Sequence, residues 1–238
     1  MKKFYKAEDA VATKDVGRVY HQVQDFIFNE NYDEHARGLI NDADFSRYID
    51  YKINFPYFVL HKDAVLSDWV SSAALRPNLI LISPKFLSLL QKYKIDDYQT
   101  FKVKIKTKDG LQDYFLFYMY APERESEFVN WEETTFRIKP YFGEYETDQI
   151  IKFGDKQNYI KLRMELFNKP KQDQEVELTN LKLKSELIDK DMFRFGLINL
   201  GFFVSESLKQ EIEKQGITGI RFAEADGLRK PYRHPKEV

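Results

Sequence analysis

The 238-residue sequence contains no cysteine, which excludes disulfides, thiolate zinc sites, iron–sulfur clusters and cysteine nucleophiles together. Glycine is sparse too: ten residues are too few for several ligand-cradling loops. There is no glycine-rich phosphate loop, no G-x-S-x-G nucleophile turn and no H-E-x-x-H helix. Four histidines, His21, His35, His61 and His234, are scattered without a metal-binding spacing. His61, Lys62 and Asp63 are adjacent, but neighbours on a strand point to opposite faces, so they make a poor catalytic cluster. A basic excess is also lacking. The 37 Lys and Arg residues face 38 Asp and Glu, a net charge of −1, whereas phosphate neutralisation supplies most of a nucleic-acid binder's affinity. No stretch approaches the roughly 20 apolar residues of a membrane span. Lys2, Lys3, Lys6, Glu8 and Asp9 interrupt any apolar core of a signal peptide. These absences predict a cytoplasmic protein without metal or cofactor, and without a nucleic-acid or membrane partner.

What is present is core material. A composition 43% hydrophobic and 32% charged suits a folded chain with a solvated exterior rather than a disordered one. The fold class expected is α+β, with mixed or antiparallel sheets. Residues 1–57 carry the weakest signals and form an N-terminal segment packed on the rest, and 58–238 form the main domain. Within the first segment, Tyr20 to Phe28 fits a strand or a short helix equally well. Phe58-Val59-Leu60 reads as a strand, and Ala64 to Ser72 as a short helix holding Trp69 against the core.

The clearest unit follows. Asn78 to Ile82 is a β-branched apolar run, hence a buried strand. Ser83 and Pro84 suit the N-cap and first position of a helix, and Phe86, Leu89, Leu90 and Tyr93 recur at helical spacing. Phe101 to Lys106 alternates strictly, and Asp109-Gly110 turns it into Tyr114 to Met119 as a hairpin. Strand-like pieces continue at Thr134 to Ile138, Tyr159 to Phe167, Val176 to Leu183 and Met192 to Phe195, with a polar loop at Lys169 to Gln174. Near the end the first unit is echoed. Phe202-Phe203-Val204 is a strand, Ser205 an N-cap, Leu208 and Ile212 a buried stripe, Gly216 a left-handed cap and Gly219 to Phe222 a returning strand. These two strand–Ser–helix–strand modules fit an internal duplication or two uses of one motif. Leu81, Ile82, Phe86, Leu90, Phe203, Val204, Leu208 and Ile212 are the expected core, with both serines as caps rather than nucleophiles.

Two charged stretches are candidate surfaces. Lys102, Lys104, Lys106 and Lys108 share one strand face, as a solvated exterior or as a contact for an acidic partner. The stretch from Glu123 to Asp148 mixes carboxylates with aromatics. Either the aromatics are core and the acids solvated, or the two together form a surface that steers and anchors a basic protein. On the second reading the partner-binding residues are Glu123, Glu125, Glu127, Trp131, Glu132, Glu133 and Tyr141.

The run Gly201 to Leu208, followed by Gly216-Ile217-Thr218-Gly219-Ile220-Arg221-Phe222, resembles the C-terminal signature of a bacterial domain family. That family, long of unknown function, is classed among the immunity proteins of polymorphic toxin systems. Asn78 to Leu90 is similar to its earlier strand–helix motif. Phe128-Val129-Asn130-Trp131 and Met192-Phe193-Arg194 fall where members carry a middle motif and a further strand. The likeness spans roughly residues 58–225. The middle motif is degenerate, and Pro84 stands where an acidic residue is usual. The resemblance implies a non-catalytic protein that neutralises a cognate toxin, a secreted protein's C-terminal domain, by contact. Two other classes stay open on the residues themselves: a small hydrolase or transferase using carboxylates of the middle stretch, and a ligand-binding or scaffold domain.

Overall fold

Ser83 and Ser205 each cap a helix: the Ser83 hydroxyl oxygen accepts the Phe86 N–H at 3.1 Å, and that of Ser205 accepts the Leu208 N–H at 3.3 Å. The computed structural model describes residues 2–19, 21–28, 48–73, 75, 79–120, 124–140, 150–169, 174–198 and 201–228. In chain order the elements are β1 (Phe4–Asp9), α1 (Thr13–Val16), β2 (Val23–Ile27), β3 (Tyr57–Leu60), β4 (Trp69–Val70) and β5 (Leu79–Ile82). Next come α2 (Pro84–Leu90), β6 (Tyr98–Thr107), β7 (Gly110–Met119), α3 (Glu125–Phe128) and β8 (Thr135–Pro140). The chain continues through α4 (Lys156–Phe167), β9 (Gln174–Asn180), β10 (Met192–Phe195), β11 (Gly201–Ser205), α5 (Glu206–Lys214) and β12 (Ile220–Glu224). The fold is α+β.

The strands form a four-stranded sheet in the order β10-β11-β1-β12 and a six-stranded sheet in the order β2-β3-β6-β7-β5-β4. A hairpin-like pair, β8-β9, stands apart from both. All pairings are antiparallel except β3 with β6. Helices α2 and α5 fill the space between the two sheets. Phe86 and Leu90 from α2, and Leu208 and Ile212 from α5, join one apolar cluster with Ile82 and Phe117 of the larger sheet and Phe202 and Val204 of the smaller. The strands are two-sided, so alternate residues supply two further clusters. Phe4, Phe193, Phe195 and Phe203 point outward from the small sheet onto Phe128, Trp131, Phe136 and Tyr159. Phe58, Leu81, Ile105, Leu116 and Tyr118 point outward from the large sheet onto Ile49, Ile53 and Phe55. The eight residues expected in the core are all buried.

Two local readings are corrected. Residues 64–72 form no helix: Trp69 and Val70 pair with Ile82 and Leu81 as a short strand, and the Trp69 N–H donates to the Thr218 carbonyl at 3.0 Å. These partners lie far along the chain, and they outweigh the local helical spacing. Conversely, Tyr159 to Phe167 is not strand-like but lies inside α4, started by Asp155, whose carboxylate accepts the Asn158 N–H at 2.8 Å. At the N-terminus, β1 sits between β11 and β12, and β2 edges the large sheet. That stretch is therefore integral to both sheets.

Candidate partner-binding surface

Arg124 fixes the start of the acidic stretch. Its guanidinium grips the wholly buried Asp96 with two bonds, Nε to Oδ2 at 2.8 Å and Nη2 to Oδ1 at 2.7 Å. These bonds push the Arg124 guanidinium further above its ordinary value. Asp96 is held in turn, its N–H donating to the Met192 carbonyl at 2.9 Å. The short helix α3 is thereby fastened to the junction of β10 with the loop before β6.

From that anchor the stretch divides by side. Glu125 turns inward and is wholly buried, with Oε1 accepting the Leu197 N–H at 2.5 Å. Trp131 also turns inward and is 4% exposed. Its indole N–H donates to the Glu125 carbonyl at 3.0 Å, and its ring lies against Phe136 and Tyr159. The expectation that Glu125 and Trp131 face a partner does not hold for the free chain: Glu125 is buried against the Leu197 backbone, and the Trp131 ring packs in the outer apolar cluster. Glu127, Glu132 and Glu133 are the outward set, and the Glu127 side chain is 60% exposed. Glu123 and Tyr141 lie outside the described residues.

A cleft of about 430 Å³ opens beside this rim. Ser126, Trp131 and Glu132 line one side, Asp155 at the start of α4 another, and Lys184 and Glu186 a third. Backbone bonds hold the walls together: Asn130 N–H to the Lys182 carbonyl at 2.9 Å, and Lys184 N–H to the Phe128 carbonyl at 2.8 Å. Leu187, next to Glu186, is 59% exposed. Sequence reasoning missed it, because Glu186-Leu187-Ile188 gives no local sign of which apolar residue turns outward. The arrangement suits contact with a protein surface: charge at the rim, an exposed leucine beside it and a rigid base. Among the described residues, no three His, Asp or Glu side chains are placed to hold a metal ion, and no helix is long and apolar enough to cross a membrane.

A family model described as Immunity protein 43 matches residues 12–235. It therefore takes in the six-stranded sheet, every strand of the four-stranded sheet except β1, the cleft and most of the N-terminal stretch that the sequence motifs left uncovered. Among curated proteins, none matches the chain.

Proposed function

The chain belongs to the immunity protein 43 family, and from that membership we propose that it binds a cognate toxin and blocks it by contact, without catalysis, in the cytoplasm of the cell that makes both. The family match over residues 12–235 carries this reading. The acidic rim of Glu127, Glu132 and Glu133 is the proposed first contact, and it suits a toxin with a basic surface, such as a nuclease domain. Exposed charge of this kind raises the association rate, and salt weakens it. Leu187 beside the cleft is the proposed apolar anchor of that contact, in the role that the buried Trp131 cannot fill.

The test is co-expression with the toxin domain encoded beside the chain, followed by binding kinetics on purified proteins. The chain should restore growth and form a stable complex. Reversing Glu127, Glu132 and Glu133 to lysine should slow association at low salt and leave circular dichroism unchanged. Growth arrest despite soluble chain, with no complex formed, would overturn the reading.

A further inference from the structure

Helices α2 and α5 cover only part of the inner face of the large sheet. At the covered end, Ile80, Ile82, Phe117 and Met119 join the central cluster. At the other end of β6 and β7 the same face carries Lys102, Lys104, Lys106, Leu111 and Asp113, all exposed. The register extends this face across four strands. One row runs Asp25, Val59, Lys106, Leu111, and beside it Ile27 pairs with Tyr57 and Lys104 with Asp113. Val103, Ile105 and Phe58 point the opposite way into the outer cluster, so the lysine face is the side that the fold leaves open among the described residues.

Two features of the open end point to a ligand class. The first is apolar surface: Ile27 is 38% and Leu111 45% exposed, with Tyr57 and Val59 half-buried between them. The second is uncompensated charge. Lys104 is neutralised by Asp113 at 2.6 Å, while Lys102 and Lys106 have no ion-pair partner among the described residues. On a strand rising roughly 3.3–3.4 Å per residue these two ammonium stems start about 13 Å apart. Interleaved branched apolar side chains and the carboxylates of Asp25 and Asp113 are ill suited to a phosphate backbone. They suit a protein surface that offers acids to Lys102 and Lys106 and apolar groups to Ile27, Val59 and Leu111.

We infer that this open end of the six-stranded sheet is a second docking surface for the cognate toxin, and that it receives an acidic, partly apolar patch. The inference rests on the toxin-binding reading above and adds to it a separate contact of opposite charge. The acidic rim and the lysine face would then fix the orientation of the bound toxin, because swapping its two patches would set like charges together.

The test measures binding kinetics of the full chain with an inactivated form of the toxin domain encoded beside it. Lys102→Glu with Lys106→Glu should slow association about tenfold at low salt, with the difference shrinking at high salt. Leu111→Asp should raise the dissociation rate about tenfold or more. Circular dichroism and thermal melts establish that both variants fold. If wild type binds and both folded variants match it, the docking surface is wrong and the toxin-binding reading survives. If wild type does not bind at all, both fall. A wild-type dimer that Leu111→Asp splits, seen by light scattering, would assign the face to self-association and overturn the inference. Binding of a single-stranded oligonucleotide that the lysine reversals abolish would overturn it too.

Discussion

Asp68 accepts two hydrogen bonds from Ser83: its carbonyl takes the Ser83 N–H at 2.9 Å, and its Oδ1 takes the Ser83 hydroxyl at 2.6 Å. Asp191 repeats this relation with Ser205, at 2.7 Å and 2.8 Å. The second oxygen of each aspartate crosses to the opposite module. Asp68 Oδ2 accepts the Thr218 N–H at 3.0 Å, and Asp191 Oδ2 accepts the Lys94 N–H at 3.1 Å. The equivalence extends to strand register, since Trp69 pairs with Ile82 as Met192 pairs with Val204. It also extends to sheet order, β4-β5-β7-β6 against β10-β11-β1-β12. The modules are thus topologically equivalent, with β1 from the chain's start supplying the strand that β7 supplies in the first. This arrangement favours duplication over two independent uses of one motif.

Each capping serine links a helix N-terminus to one of these aspartates, so it does more than an isolated cap. Ser83→Ala and Ser205→Ala should each cost about 2 kcal/mol, at the upper end of the range for caps. Asp68→Ala should cost at least as much, because it also releases Thr218. Urea denaturation measures this. Losses below a few tenths of a kcal/mol in both serine variants would reduce the hydroxyls to bystanders.

Arg124 and Asp96 give a sharper contrast. Removing the arginine strands a wholly buried carboxylate, and breaking a buried pair in this way costs about 3–5 kcal/mol. Arg124 keeps some exposure, which puts Arg124→Ala near 3 kcal/mol. The pair Arg124→Met with Asp96→Leu should recover much of that loss, since no unpaired charge then remains. Equal destabilisation of single and double variants in a denaturant series would show that packing, not charge, governs the junction.

The two modules were legible in the sequence because their signals are local: a β-branched run, a serine before the first turn and a helical stripe. Much of the rest depends on distant partners. The strand at Trp69-Val70 exists through Ile82, Leu81 and Thr218, and β1 through β11 and β12 some 200 residues away. α4 hid for another reason. Tyr159 and Leu166 are buried while Met164 and Phe167 are exposed, so its apolar residues encircle the helix and leave no clean stripe. At the candidate site, composition marked the acidic stretch but not sidedness. Glu125 and Glu127 are two residues apart, and only the fold sends one inward and the other out.

Asp9 makes stability depend on pH. Burial raises its carboxyl above the ordinary aspartate value of 3.8, against the lowering effect of the Trp69 indole N–H, which donates to Oδ1 at 2.7 Å. The folded state therefore takes up this proton more readily than the unfolded state. The cost of the partly buried charge is fully present above the folded pKa, fades as pH falls through it and vanishes below about 3.8. Asp9→Asn keeps an acceptor for Trp69 and removes the charge. It should raise the unfolding midpoint at pH 7 and have no such effect near pH 3. A variant no more stable than wild type at pH 7 would mean that other charges already offset the cost.

Gly219 is where the module joint tolerates least. Its φ of +87° lies in the left-handed region, and a Cβ built there would stand 2.0 Å from the Trp69 carbonyl oxygen and 2.4 Å from the Ser67 hydroxyl. The first obstacle is backbone, and it belongs to the strand that Thr218 holds by accepting the Trp69 N–H. An alanine can therefore be accommodated only by parting β4 from the loop after α5. Gly110, in the turn between β6 and β7, is the control: its φ is +117°, but a Cβ there meets nothing within 4 Å. Gly110→Ala should show the conformational cost alone, about 1–2 kcal/mol. Gly219→Ala adds the clash and should cost about 4 kcal/mol or more, a loss large enough to unfold a marginal domain. Denaturant melts of the two variants side by side measure the difference. Equal losses would show that the close approach at Trp69 relaxes freely and that conformation alone requires a glycine at position 219.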